Sequence, residues 1–229
     1  MSLRRTFPAA LGLLALVCAG CADDRVRLER GPLGPASYRV TFEVTGDPAV
    51  RTEPVTAQLT VTDLGDGAAL RLDVGDEIPI VTEFVRGPDG RLVLDTVQGV
   101  SPSSAGEADL ASIVDQLDPP LASGPVRMRE PWSARRRITT EVLRADLTTR
   151  LEVVRFHRVA GTDAAELRGT VTGRLRTTGT TGTFDGRVVG TTTIDWALAP
   201  GRVAASRTEL RWAIPDIGTV LLRTSVSPS

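Results

Sequence analysis

From Tyr38 almost to its C-terminus the chain repeats with a period of two, and that pattern constrains its fold more than any other feature. Tyr38, Val40, Phe42 and Val44 alternate with Arg39, Thr41, Glu43 and Thr45. Val55, Ala57, Leu59 and Val61 alternate with Thr56, Gln58, Thr60 and Thr62, and Ala68, Leu70, Leu72 and Val74 with Ala69, Arg71 and Asp73. Successive side chains on a strand point to opposite faces, so such a run buries one face and wets the other. Antiparallel sheets tolerate that arrangement, whereas parallel sheets are covered on both faces and read as continuous apolar runs. The breaks carry turn chemistry: Gly46-Asp47-Pro48, Gly65-Asp66-Gly67, Gly75-Asp76 and Gly87-Pro88-Asp89-Gly90. Two further strands fit 78–86 and 91–97, giving a five-strand meander before residue 100.

A second run predicts strands over 133–143, 150–159, 164–176, 184–198, 202–213 and 218–226, with Pro200-Gly201 as a tight turn. Phe184, Gly186, Val188, Gly190, Thr192, Ile194, Trp196 and Leu198 share one parity. A strand of about 15 residues spans roughly 50 Å, longer than is usual. It is expected to bend at Gly186 and Gly190, and a long kinked sheet curls. The same parity places small residues on the concave side and predicts free room there.

One helix is expected near 105–118. Leu110, Ile113, Val114 and Leu117 form a single apolar stripe, Ser104 and Glu107 fit a capping box, and Pro119-Pro120 ends it. The predicted fold is therefore mainly β: a long antiparallel meander curled into a half-barrel or open barrel, with one covering helix. Strand-rich halves over 38–100 and 133–229 would be joined by that helix into a single β-rich domain, 38–229.

The N-terminus carries a different message. Arg4 and Arg5 precede an uncharged stretch from Phe7 to Gly20. At about 14 residues it is too short to span a bilayer, which takes roughly 20. A basic start, a short apolar run and small residues at its end read as an export signal over 1–20. Cys18-Ala19-Gly20-Cys21 resembles the Leu-Ala-Gly-Cys of bacterial lipoprotein signals, with Cys18 where an aliphatic residue is usual. The resemblance implies lipidation at Cys21, with two acyl chains sufficient for stable anchoring. The plainer alternative is an ordinary secretory signal cut near Ala22. The polar, Gly- and Pro-containing stretch 21–37 then reads as a lipidated N-terminus and flexible tether.

Chemistry is sparse. The net charge is −1, which gives no case for nucleic acid. Every one of the 27 basic residues is Arg, and Lys and Asn are absent, a bias that fits a GC-rich, actinobacterial source. His157, the single histidine, sits among Arg155, Phe156 and Arg158 and reads as an ordinary strand residue, not the base of a nucleophile–base–carboxylate triad. No metal site is expected: one mature cysteine and one histidine build no zinc site of Cys/His type, and Asp73, Asp76 and Glu77 lack the spacing of a calcium loop. No phosphate loop or other cofactor motif occurs, since Gly179 to Thr183 lacks the lysine such a loop needs. Arg135-Arg136-Arg137, with Arg127 and Arg129 nearby, is the one basic cluster, read either as a solvated strand start or as a contact for anionic head groups. Trp132, Trp196, Trp212 and Phe184 are the candidate ligand-binding residues, because pockets in curled sheets are lined by such groups; as core pieces they would be equally ordinary.

The segment from Pro120 to Trp132 resembles a motif of bacterial β-rich envelope lipoproteins of uncharacterised role. There a proline leads into Val-x-x-Gly-x-x-Trp, matched here by Val126 and Trp132, with Arg129 at the family's glycine. More distantly the layout is similar to LolA-like and LppX/LprG-like lipoprotein carriers. That resemblance implies an antiparallel sheet curled around helices and an apolar cavity for acyl chains. The expected role is accordingly non-enzymatic: a lipid-anchored protein at the outer face of the cell membrane, binding a lipid or other hydrophobic ligand. The alternative is a structural lipoprotein that binds another cell-envelope protein.

Overall fold

The computed structural model describes residues 25–32, 34–46, 50–51, 54–74, 79–87, 91–98, 116–139, 143–179, 182–215 and 218–229. They form fourteen strands: β1 (Arg25–Val26), β2 (Ala36–Gly46), β3 (Val50–Arg51), β4 (Val55–Asp63), β5 (Gly67–Asp73), β6 (Ile80–Arg86), β7 (Leu92–Gln98), β8 (Val126–Arg127), β9 (Trp132–Thr139), β10 (Leu143–Val159), β11 (Thr162–Gly179), β12 (Gly182–Ala197), β13 (Arg202–Ile214) and β14 (Gly218–Pro228). Twelve of them make one antiparallel sheet in the order β7-β6-β5-β4-β2-β14-β13-β12-β11-β10-β9, with β3 paired to β2. β1 and β8 form a separate two-stranded ladder. The sheet curls into an open half-barrel and does not close, so β7 and β9 remain edges.

The period-two reading accounts for the long strands but not for the two-residue strands β1, β3 and β8, and there are further informative differences. β10 begins at Leu143, earlier than the expected 150. The segment before it, Thr140-Glu141-Val142, contains neither Gly nor Pro, so no punctuation marked the boundary. The two strand-rich halves are joined edge to edge. The last strand pairs with the first long one, Val226 opposite Val40 and Thr224 opposite Phe42, so β14·β2 is a seam within one continuous sheet. The helix expected near 105–118 lies outside the described residues except for its end, where Gln116 and Leu117 are helical.

Cross-strand register divides the inner face into layers. One row runs Val153, Leu167, Ile194, Ser206, Val226, Val40. The next is Leu151, Gly169, Thr192, Thr208, Thr224, Phe42, a belt whose three buried threonines include the hydroxyl pair Thr192–Thr208 at 2.9 Å. Beyond the belt come Thr149, Val171, Gly190, Leu210, Leu222, Val44 and then Leu147, Gly173, Val188, Trp212, Val220.

The chain itself fills the inner face on the first side of that belt. Residues 25–32, read from the sequence as tether, lie in the fold: Leu28 is buried beside Val126, Trp196 and Val203, and the Gly31 N–H donates to Gly201 O at 2.8 Å. Leu117 packs with Tyr38, Leu59, Leu70 and Phe84 under the first half. Asp118, buried to 2% exposure, ties three segments together. Its Oδ1 accepts from Arg30 Nε at 2.7 Å and its Oδ2 from the Leu92 N–H at 2.8 Å. A buried carboxylate is tolerable when its lone pairs are taken by charged and backbone donors in this way.

Candidate functional site

Two places on the sheet bring together residues with potential roles. The first is the apolar inner face beyond the threonine belt. Leu175 and Val188 are buried there, and Leu147, Leu210 and Trp212 pack against them only partly covered. Phe184 is half-buried at the same end of β12. The expected free room over the β12 glycines is not found. A Cβ at Gly186 would lie 2.7 Å from Trp212 Nε1, and one at Gly190 2.7 Å from Leu210 Cδ2. The β13 backbone comes closer still, with Ala213 O against a Cβ at Gly186 and Glu209 O against one at Gly190, so the glycines make a close packing of main chain and side chain, not a cavity. Trp212 Nε1 is buried without a hydrogen-bond partner among the described residues. Of the other candidate aromatics, Trp196 is 1% exposed in the core with Leu28 and Val126 around it. Trp132 packs against that same core and donates its indole N–H to Pro120 O at 2.7 Å.

The second place is on the outer face, and sequence reasoning missed it. His157 Nε2 lies 3.1 Å from Asp195 Oδ1, and Glu166 completes a group whose ligand atoms all fall within 4.8 Å of one another. The cause is a β-bulge at Val154. Val153 pairs with Leu167, but Arg155 pairs with Glu166, leaving Val154 unopposed. An extra residue reverses the parity of the strand beyond it. Without it Arg155 and His157 would share the inward parity of Leu151 and Val153; with it they stand outside, next to Glu166 on β11 and Asp195 on β12. No sequence signal announces this bulge, so His157 read as isolated.

The electrostatics of the group are tightly arranged. Burial pushes the Glu166 carboxyl up, but hydrogen bonds from Arg155 and Arg168, each 2.5 Å, outweigh it and hold the group below its ordinary value. Asp195 is raised, first by burial and then by the Glu166 charge, against the opposing pull of His157 and Arg155. The three donors have the spacing of a cation site, yet both Glu166 oxygens are taken by guanidinium groups, and two arginines repel a divalent ion. Nor is this a nucleophile triad. His157 Nε2 is on Asp195 and Nδ1 is buried with no partner, whereas a general base must bond both its orienting carboxylate and its nucleophile. The arrangement is an ion-pair network that pins β10, β11 and β12 together.

Cys21 lies outside the described residues. No family model matches the chain, and no curated protein matches it. Among solved structures, an outer membrane lipoprotein-sorting protein domain from Vibrio parahaemolyticus is similar over 86% of this chain and 84% of that chain, at 10% identity and a TM-score of 0.24. Folds that superpose so poorly support no argument from one to the other.

Proposed function

We propose that this chain is an exported, non-enzymatic lipoprotein, held at the outer face of the cell membrane through acyl chains on Cys21, and that the inner face of its half-barrel binds a lipid or other hydrophobic ligand. One observation carries the ligand reading: beyond the threonine belt, Leu147, Leu210 and Trp212 form an apolar strip that is only partly covered. The row Leu147, Gly173, Val188, Trp212, Val220 crosses five strands. At about 4.8 Å per strand it is roughly 20 Å long, the scale of an extended acyl chain. Trp212 and Phe184 are the residues assigned to contact the ligand, while Trp132 and Trp196 act from the packed core behind them.

Native mass spectrometry of protein purified without detergent tests this directly, and a mass increment matching co-purified lipid is expected. Titration with a brominated fatty acid should quench Trp212 fluorescence, and Trp212→Phe should abolish the quenching. A clean apo mass with no dye uptake and no quenching rules the ligand out. Cys21→Ser, with membrane retention and acyl labelling as readouts, tests the anchor independently.

The second reading, an interaction lipoprotein that binds another cell-envelope protein, has its own support. The space enclosed by Tyr38, Val61, Leu70, Leu92, Leu117 and Arg202 amounts to only about 10 Å³, so that part of the interior is solid. On this reading cross-linking in cells traps one dominant protein partner, and the protein carries no lipid.

A further inference from the structure

The outer face of β9 to β13 carries far more positive charge than a chain of net charge −1 would lead one to expect. Register places Arg135, Arg137, Arg144, Arg150, Arg155, Arg168, Arg174, Arg176, Arg187, Arg207 and Arg211 on it. Among the described residues six carboxylates share this face: Asp146, Glu152, Glu166, Asp185, Asp195 and Glu209. All eleven arginines are exposed, whereas every carboxylate except Asp146 is half-buried or buried. The two signs are thus stratified: acids lie against the sheet and guanidinium groups stand above them. Arg155 and Arg168 over Glu166, at 62% and 60% exposure against 3%, show the arrangement in one contact. A ligand approaching this face meets cations first.

Some of these cations form no ion pair among the described residues. Arg174 and Arg187 are direct cross-strand neighbours, a like-charge pairing that costs stability, and Asp146, opposite Arg174 on β10, is engaged by Arg137. Neither they nor Arg150 and Arg207 have a carboxylate partner among the described residues. Arg174 and Arg187 border an open groove of about 840 Å³ floored by Gly186, Ala213 and Gly218. Val189, one of the most exposed large apolar residues at 51%, lies among them, opposite Arg211 and next but one to Arg187. Exposed guanidinium groups around a protruding aliphatic side chain are complementary to a bilayer surface, where anionic head groups overlie hydrocarbon.

We infer that the outer face of β9 to β13 docks on the anionic head groups of the bilayer to which the chain is anchored. This rests on the reading of the chain as an exported, membrane-anchored protein, but on neither its acyl chains nor its inner ligand. The membrane is favoured over a protein or nucleic acid because the cations spread over the outer side of five adjacent strands instead of gathering in a single stripe. Held at both its N-terminal end and this face, the domain would lie with its outer side on the lipid and its trough turned away.

Flotation with vesicles tests it. The chain starting at residue 21 and bearing no lipid retains every strand among the described residues, from β1 at Arg25 onward. It should float with vesicles of about one-third phosphatidylglycerol in phosphatidylcholine and not with phosphatidylcholine alone. Binding should collapse when salt near 0.5 M shortens the screening length to roughly 4 Å. Arg174→Gln, Arg187→Gln and Arg207→Gln should each weaken partitioning about fivefold, multiplying when combined. Arg71→Gln, on β5 in the other half, serves as the matched control and should have no effect, with circular dichroism verifying that each variant is folded. Equal flotation with neutral and anionic vesicles, no flotation with either, or a triple variant that partitions like the parent overturns the inference. So does binding to duplex DNA or an acidic protein without vesicle binding. Because no acyl chain is present, a failure of lipidation at Cys21 or of ligand binding at Trp212 would leave these readouts unchanged.

Discussion

Single residues here show where local preference yields to the fold. Arg129 adopts φ 63°, the left-handed region that glycine occupies at little cost. Its N–H donates to Val153 O at 2.8 Å, so the surrounding ladder dictates the conformation. A non-glycine residue there costs roughly 1 kcal/mol or more in the folded state, partly offset by the stiffer unfolded chain. Arg129→Gly should therefore raise the urea midpoint, by a stability gain of up to about 1 kcal/mol with an unchanged m-value. The Glu166–Asp195 pair makes an opposite-sign test. Glu166 is held below its ordinary 4.5, so its contribution is full above that value and is lost as pH falls through the folded value. Asp195 is raised above its ordinary 3.8, so its contribution is present below that value and is lost as pH rises through the folded one. At neutral pH Glu166→Gln should cost roughly 1 kcal/mol, discounted because its arginine partners are largely exposed. Asp195→Asn should be neutral or slightly stabilising. The same sign for both variants in chemical denaturation would refute this division of labour.

At the level of strands, alternation made most of the sheet legible before any coordinates. Register and bulges were not legible, because they depend on what lies opposite. The two-residue period of β2, β4 and β5 specified which side chains enter the core. The bulge at Val154 could not be read, and with it went the whole His157–Glu166–Asp195 group, which is assembled from three strands by pairing alone. The β14·β2 seam was equally invisible, since two strands nearly 200 residues apart in sequence meet only once the sheet is complete. The missing side chains of Gly186 and Gly190 are plain in the sequence, but that β13 closes over them is not. Trp212 and Leu210 occupy the space they vacate. Gly186→Ala should consequently destabilise by about 1–3 kcal/mol through overpacking, with a change in Trp212 emission. Thermal melts of the two proteins check this, and an alanine variant that melts with the parent would refute the close packing against Ala213 O and Trp212.

The whole molecule poses a question of cooperativity. Its apolar core is divided into three clusters, one beneath the first half of the sheet and two beneath the second, which on hydrophobic grounds alone suggests halves that unfold separately. The polar links argue otherwise. The Tyr38 hydroxyl of the first cluster donates to Val203 O beside the second at 3.0 Å, and Ser206 Oγ donates to Gln116 Oε1 at 3.0 Å, next to Leu117. Asp118 joins Arg30 to Leu92, and the β14·β2 ladder runs through both halves. Buried donors and acceptors left unpaired cost about 1–3 kcal/mol each, so parting the halves would incur several such penalties at once. The distribution of tryptophan makes this measurable. Trp132, Trp196 and Trp212 all belong to the second half, so their fluorescence reports that half alone, while far-ultraviolet circular dichroism reports strands from both. Urea titration is expected to give coincident transitions by the two probes. Asp118→Ala, which takes the acceptor from Arg30 Nε and from the Leu92 N–H while Arg30 Nη2 keeps Pro119 O, should shift both transitions down by about 2–4 kcal/mol while keeping them coincident. If fluorescence and dichroism separate in the parent protein, the seam does not couple the halves, and the sheet is two domains sharing an edge.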